Sequence, residues 1–242
     1  SGNRVNLEVD FFGGEPLMNF DVVKEIVAYG RSKEKEYNKN FRFTLTTNGV
    51  LLNDDVIDFC NREISNVVLS LDGRKCIHDS MRPTRNGKGS YDIIVPKFKE
   101  FVEKRGDKSY YVRGTFTRHN LDFVEDFKLM ADLGFKEISI EPVVAQDGCD
   151  YAIREEDIDA ICKEYDKLAL DIIDRHKKGE PVTFFHYMLD LNGGPCVYKR
   201  LSGCGSGTEY LAVTPTGELF PCHQFVGIDE FSMGNVFEGV KR

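Results

Sequence analysis

The sequence of 242 residues contains no apolar run approaching the roughly 18 residues that a bilayer span requires. No basic segment followed by an apolar stretch occurs in these residues, so a secretory leader is not expected. Basic charge is in deficit: 32 Lys and Arg face 40 Asp and Glu, for a net charge of −8. Non-specific nucleic-acid binding and membrane-surface binding both need a basic face, so neither partner is expected. Nor is there a disulfide framework. The 7 cysteines are odd in number and unevenly spread, and read as reduced thiols or metal ligands in a cytoplasmic protein. Low-complexity tracts and long repeats are absent as well. What is present is 41% hydrophobic and 30% charged residues, enough for a sizeable core and a hydrated surface.

Strand and helix patterns alternate along the first part of the chain. Residues 5–12 (VNLEVDFF) are apolar and β-rich and stop at Gly13-Gly14. From Phe20 to Tyr37, apolar residues fall at helical spacing among charges. Strands are expected at 41–45, 66–71, 110–117 and 137–142. Helices are expected from an Asn53 cap to Phe59, at 91–104 and at 120–133, with a loop over 72–90. Strict alternation predicts a parallel sheet covered by helices, an α/β barrel-like architecture. Residues 154–178 read as one long charged helix, and 181–191 as a mixed apolar segment. From Asn192 onward Gly, Cys, Pro and aromatics dominate, with a small hairpin near Pro215-Thr216-Gly217. The expected division is 1–150 for the barrel part, 151–191 for helix and linker, and 192–242 for a Cys-rich segment.

Polar signatures cluster at the strand ends, where barrel-like folds bind ligands. Gly13-Gly14 would let a ligand approach the backbone, and Glu15 before Pro16 could receive a ligand ammonium; an ordinary turn with a surface Glu is the alternative. Asn48 follows Thr46-Thr47. Ser70 and Asp72 share one strand face, so Asp72 could meet a ribose or simply form an Asp-Gly turn. Arg113 and Thr115 also share a face, and Arg113 needs an anion there, either a ligand carboxylate or a barrel Glu. His78 and Asp79, in the loop over the mouth, are further candidates for substrate contact. Cys196, Cys204 and Cys222 in the Gly-rich tail suggest a metal or iron–sulfur site, with three structural cysteines as the bland alternative. Cys60 and Cys162 fall in helices and are expected in the core. Cys76 and Cys149 lie in loops with no ligand-like spacing.

In order and wording these motifs resemble the radical S-adenosylmethionine enzymes that carry a SPASM-type auxiliary-cluster domain. Phe12-Gly13-Gly14-Glu15-Pro16 is similar to the family's GGEP motif, Thr46-Thr47-Asn48-Gly49 and Ser70-Leu71-Asp72-Gly73 to its next strand-end motifs, and Arg113-Gly114-Thr115 to a strand that meets the cofactor carboxylate. Cys204 with Gly217-x4-Cys222 resembles the opening of a SPASM pattern. The phrases GGPC, GCGSGTEYLAVTPTGELFPCHQFVG and MGNVFEG resemble the maturases of SCIFF peptides, relatives of sactipeptide synthases that join a Cys sulfur to a backbone α-carbon. The resemblance implies a partial (β/α)6 TIM-like barrel whose first strand precedes Val5, and a small incomplete SPASM segment. It implies S-adenosylmethionine held by Gly13, Gly14, Glu15, Pro16, Asn48, Ser70, Asp72, Arg113 and Thr115. It implies an auxiliary [4Fe–4S] cluster held by Cys196, Cys204 and Cys222. A ribosomally made precursor peptide and an electron donor such as ferredoxin or flavodoxin are the implied partners. The family's CxxxCxxC motif does not occur in these 242 residues, so a fragment shortened at both ends and inactive as supplied is expected. A sulfatase-maturing, formylglycine-forming enzyme and a zinc-stabilised binding module are the other readings.

Overall fold

The computed structural model describes residues 2–146, 148–188 and 204–241. Two compact units are present, Ser1–Met188 and Leu189–Arg242.

The first unit is built on six strands: β1 (Asn6–Phe11), β2 (Asn40–Thr47), β3 (Asn66–Ser70), β4 (Tyr110–Phe116), β5 (Glu137–Pro142) and β6 (Thr183–Phe184). They hydrogen-bond in sequence order, and every pair is parallel. The connections are α1 (Phe20–Tyr37), α2 (Asp54–Glu63), α3 (Lys75–Met81) with α4 (Tyr91–Arg105), α5 (Phe123–Asp132) and α6 (Ile158–Lys177). A parallel sheet wound in one direction, with crossovers of one hand, carries its helices on one face. This is the winding of a barrel rather than of a doubly wound sheet.

Side-chain alternation sorts the two faces. On β2, Phe43 and Leu45 are buried while Thr44 and Thr46 are only half-buried; on β4, Val112 and Phe116 are buried while Arg113 and Thr115 are not. The buried set meets Val27, Ile57, Phe98, Phe101 and Phe127 from the helices in one core. Each such side chain contributes about 1.5–3 kcal/mol by leaving water. The opposite face presents Thr44, Thr46, Ser70, Arg113, Thr115 and Glu141, too polar to be a packed interior.

Local chemistry fixes the helices. Asn53 caps α2, its side chain accepting from Val56 N at 3.0 Å. α1 buries Val23, Val27 and Gly30 along one stripe. A Cβ at Gly30 would stand 2.8 Å from the Phe43 ring, so glycine lets α1 lie close on the sheet.

Three features differ from expectation. The loop 72–90 contains α3, whose seven residues are too few for a clear helical period. The segment after Pro181 supplies β6, a two-residue strand pairing Thr183 with Glu137 and Phe184 with Ile138. Cys162 is exposed on α6 rather than in the core, whereas Cys60 is fully buried.

The second unit holds a small antiparallel sheet of β7 (Ala212–Val213), β8 (Glu218–Phe220), β9 (Gly234–Asn235) and β10 (Gly239–Val240), in the order β10-β9-β8-β7. The β7–β8 hairpin is the expected one, closed by Gly217 at φ +87° with its N–H on Thr214 O at 2.9 Å. Among the described residues no helix is long and apolar enough to cross a membrane.

Candidate functional site

A cleft of about 200 Å3 opens at the carboxyl ends of β1 to β4. One wall is the β1 exit. Gly13 takes φ +120°, a conformation that side chains resist. Gly14 has no such φ, and a Cβ there would meet no protein atom within 4 Å. Both glycines line the cleft, so a side chain at Gly14 would enter the open space itself.

Glu15 is bound to the neighbouring strand. Its Oε1 accepts from Thr47 Oγ1 at 2.8 Å and from Leu17 N at 3.1 Å, and its Oε2 accepts from Asn48 N at 2.7 Å. A carboxylate offers about four acceptor positions, so about one is left for a ligand donor. Thr47 Oγ1 also accepts from Gly49 N at 3.0 Å. Gly49 sits at φ +79°, where a Cβ would collide with Phe98 at 2.1 Å. The glycine therefore fixes the turn that aims Asn48 N at Glu15.

The facing wall comes from β3 and β4. Ser70, Arg113 and Thr115 line it, joined by Arg82 from the segment after α3. Arg113 Nη2 donates to Glu141 Oε2 at 2.6 Å, which is the barrel-Glu pairing left open by the sequence. Arg82 donates to Asp72 through Nε (2.6 Å to Oδ2) and Nη2 (3.1 Å to Oδ1). Thr115 N donates to Asp72 Oδ1 at 3.0 Å. Asp72 is buried, three of the about four acceptor positions of its carboxylate are filled by these donors, and it does not line the cleft. Its carboxylate holds the Arg82 guanidinium and the Thr115 backbone. Pro16 opens the short helical turn after Glu15 and does not line the cleft.

His78 and Asp79 do not line the cleft. His78 is buried; its Nδ1 accepts from Asp72 N at 3.2 Å, and its Nε2 pairs with Ser90 Oγ at 2.9 Å. Burial holds its pKa below the ordinary imidazole value, with Asp72 opposing that shift. Asp79 Oδ1 accepts from Tyr91 N at 2.9 Å at the start of α4. Arg82 is the cleft residue that pattern reading missed. It lies in an Arg-rich loop, and only the fold brings it beside Asp72.

Two of the three tail cysteines lie among the described residues. Cys204 is exposed, and Cys222 is half-buried with its Sγ accepting from Gln224 N at 3.4 Å. Cys196 lies outside the described residues. Among the described residues no group of three or more His, Cys, Asp and Glu side chains is placed to hold a metal ion. Burial pushes the Cys60 thiol up to about 12, an inert core cysteine.

Comparison with known proteins adds likenesses of sequence and fold. A family model described as a 4Fe-4S single cluster domain matches residues 2–96. The cysteine-type anaerobic sulfatase-maturating enzyme of Clostridium novyi is 25% identical over 245 residues, covering 96% of this chain and 63% of that protein. The antilisterial bacteriocin subtilosin biosynthesis protein AlbA of Bacillus subtilis is 26% identical over 240 residues, covering 96% of this chain and 47% of that protein. The chain spans about a third to two thirds of the length of the curated relatives it matches. The solved structure of native anSMEcpe with bound AdoMet superposes with a TM-score of 0.78 at 18% identity, over 99% of this chain and 66% of that one, a likeness of fold. Sequence relatives and the family model point the same way, and the barrel winding matches in fold: the chain is similar to radical S-adenosylmethionine enzymes related to peptide maturases.

Proposed function

We propose that the cleft binds S-adenosylmethionine and that the intact protein is a peptide maturase that joins a cysteine sulfur to a backbone α-carbon. One observation carries the cofactor reading: opposite charges face each other across the cleft, Glu15 with an open acceptor position on one side, Arg82 and Arg113 on the other. That arrangement suits an ammonium and a carboxylate on one ligand, the two ends of an α-amino acid. Gly14 supports the same reading, because nothing in the protein requires glycine there, whereas a ligand lying on the backbone would.

When bound, S-adenosylmethionine with a reduced 4Fe–4S cluster supplies one-electron cleavage of a sulfonium carbon–sulfur bond and hence hydrogen abstraction from a substrate. This chain's residues bind and orient. Glu15 receives the ammonium, and Gly13 and Gly14 admit the ligand to the backbone. The Ser70 and Thr115 hydroxyls and Asn48 hold the remaining polar edges, and a guanidinium takes the carboxylate. The thiols of Cys196, Cys204 and Cys222 are proposed as auxiliary-cluster ligands on the SPASM resemblance. No step is assigned to that group, since the described residues bring no three ligands together.

The C-terminal phrases that resemble those of SCIFF maturases support thioether formation, with ferredoxin or flavodoxin as electron donor, and the similarity to AlbA, a bacteriocin biosynthesis protein, supports a peptide substrate. Similarity to the Clostridium novyi enzyme favours a second reading, oxidation of a Cys to formylglycine. Product mass separates them. A thioether replaces one S–H and one C–H and removes two hydrogens, whereas formylglycine from Cys loses the sulfur.

The cofactor reading is tested by Gly14→Val. The expected variant unfolds at the wild-type temperature and loses S-adenosylmethionine binding in equilibrium dialysis. Wild-type affinity retained in the variant would contradict the assignment of this cleft.

A further inference from the structure

The polar face of the sheet continues away from the strand ends and changes character there. On β5, Ile138 and Ile140 are buried in the core, so Glu137, Ser139 and Glu141 share the opposite face. On β4 the corresponding row is Tyr111, Arg113 and Thr115. Register sets Val112 opposite Ile138, which brings Tyr111 beside Glu137, and it sets Glu137 opposite Thr183 on β6.

Glu137 accepts one hydrogen bond, from Thr183 Oγ1 to its Oε1 at 3.2 Å. Among the described residues no cation pairs with it, and its Oε2 accepts from no donor. Burial holds its pKa above the ordinary carboxylate value, and the Thr183 hydroxyl opposes that shift. A half-buried carboxylate without a cation is a costly arrangement that a positively charged ligand relieves.

Two aromatic rings stand next to it. Tyr111 and Phe185 meet edge to face, with centroids 5.7 Å apart and planes at 88°. The Tyr111 hydroxyl donates to Met188 Sδ at 3.6 Å, so its proton is not directed at Glu137. The charge of Glu137 is nevertheless felt at Tyr111, whose pKa is raised by burial and, secondarily, by that carboxylate. Phe185 and Met188 are 50% and 58% exposed, so this aromatic corner is open to a ligand. Ring faces and a carboxylate attract the same kind of group, a cation.

We propose that Glu137, Tyr111 and Phe185 form a subsite for a lysine side chain of the peptide substrate. The proposal rests on the peptide-maturase reading. One open carboxylate oxygen suits the point charge of an ammonium, whereas the planar fork of arginine needs both oxygens, and Thr183 holds one of them. Two strand positions separate Tyr111 from Arg113 and four separate Glu137 from Glu141, about 7–13 Å at the rise of a strand. An extended peptide covers that span in about two to four residues, which sets the distance in sequence between the lysine and the residue presented to the cleft.

The test compares N-acetyl-lysine amide with N-acetyl-norleucine amide, which share an aliphatic stem and differ in the ammonium. The reporter is the isotope-labelled methyl signal of Met188, identified by its loss in Met188→Leu. The lysine amide is expected to shift that signal saturably and to bind about tenfold more tightly than the norleucine amide. Glu137→Gln, nearly the same in shape, brings the ratio close to one, and Glu137→Asp keeps part of it. Phe185→Leu weakens the lysine amide by about threefold, and Phe185→Tyr restores it. Equal affinity for the two amides, or an unchanged ratio in Glu137→Gln, overturns the subsite while the maturase reading stands. Equal or tighter binding of N-acetyl-arginine amide overturns the assignment to lysine. Calorimetry with S-adenosylmethionine on the same chain separates the two readings: lysine preference in a chain that does not bind S-adenosylmethionine overturns the assignment to a maturase substrate.

Discussion

His78 shows how one side chain can shape a site without touching it. Its buried ring stays neutral because burial disfavours the imidazolium, and because Nδ1 must accept from Asp72 N. Protonation would place two donors face to face. The folded-state pKa lies below the ordinary value near 6.5, so the unfolded chain takes up a proton that the folded chain refuses. The stability contributed by neutral His78 is therefore fully present above pH of about 6.5 and is lost as pH falls below it toward the lowered folded value. Urea unfolding from pH 7.5 down to 5 is expected to show this decline, and His78→Gln to flatten it. An equal slope in the variant would remove His78 as the cause. Sequence reading placed His78 at the mouth because it sits in a loop between strand and helix. Its burial depends on Ser90 and Tyr91, which no local pattern announces.

At the scale of elements, the strands were legible and the segment between β3 and β4 was not. Alternation along β2 and β4 is strong because one face meets helices and the other does not, so the strand ends and the residues beyond them could be located. Gly13, Gly14, Glu15, Asn48, Ser70, Arg113 and Thr115 were found by that route and do line the cleft. Residues 72–90 carry no such period. Their conformation is imposed from outside, chiefly by α5. Asp126, fully buried, accepts from Arg74 N and Nε at 2.8 Å each and from Asn120 Nδ2 at 3.1 Å. Gly73 admits this contact, since a Cβ there would stand 2.2 Å from Asp126 Cβ. Asp126→Ala is expected to cost about 2–3 kcal/mol, below the figure for a fully buried ion pair because Arg74 reaches water. Amide exchange should accelerate through 72–90 and not in β1 or β2. Uniform acceleration across the sheet would show that Asp126 supports the core rather than this segment. β6 escaped detection for a simpler reason: two residues cannot display a period, and the strand exists because the β5 edge pairs with it.

For the molecule as a whole, a single physical idea organises the first unit. A sheet wound in one direction buries its helix side and leaves its other face polar, and the strand ends on that side assemble a cleft with a carboxylate opposite guanidiniums. The second unit was legible mainly as composition, because its strands of two or three residues are stabilised by turns such as that at Gly217 and not by alternation. The deficit of basic charge agrees with a ligand recognised by a few placed groups rather than by a broad positive field. The central claim concerns where the sulfonium nucleotide sits, and a crystal structure of the chain grown with S-adenosylmethionine tests it most directly. The account predicts the ligand ammonium within hydrogen-bond distance of Glu15, its backbone-facing edge on Gly13-Gly14 and its carboxylate at a guanidinium of the facing wall. A ligand bound elsewhere, with this cleft holding only solvent, would contradict it.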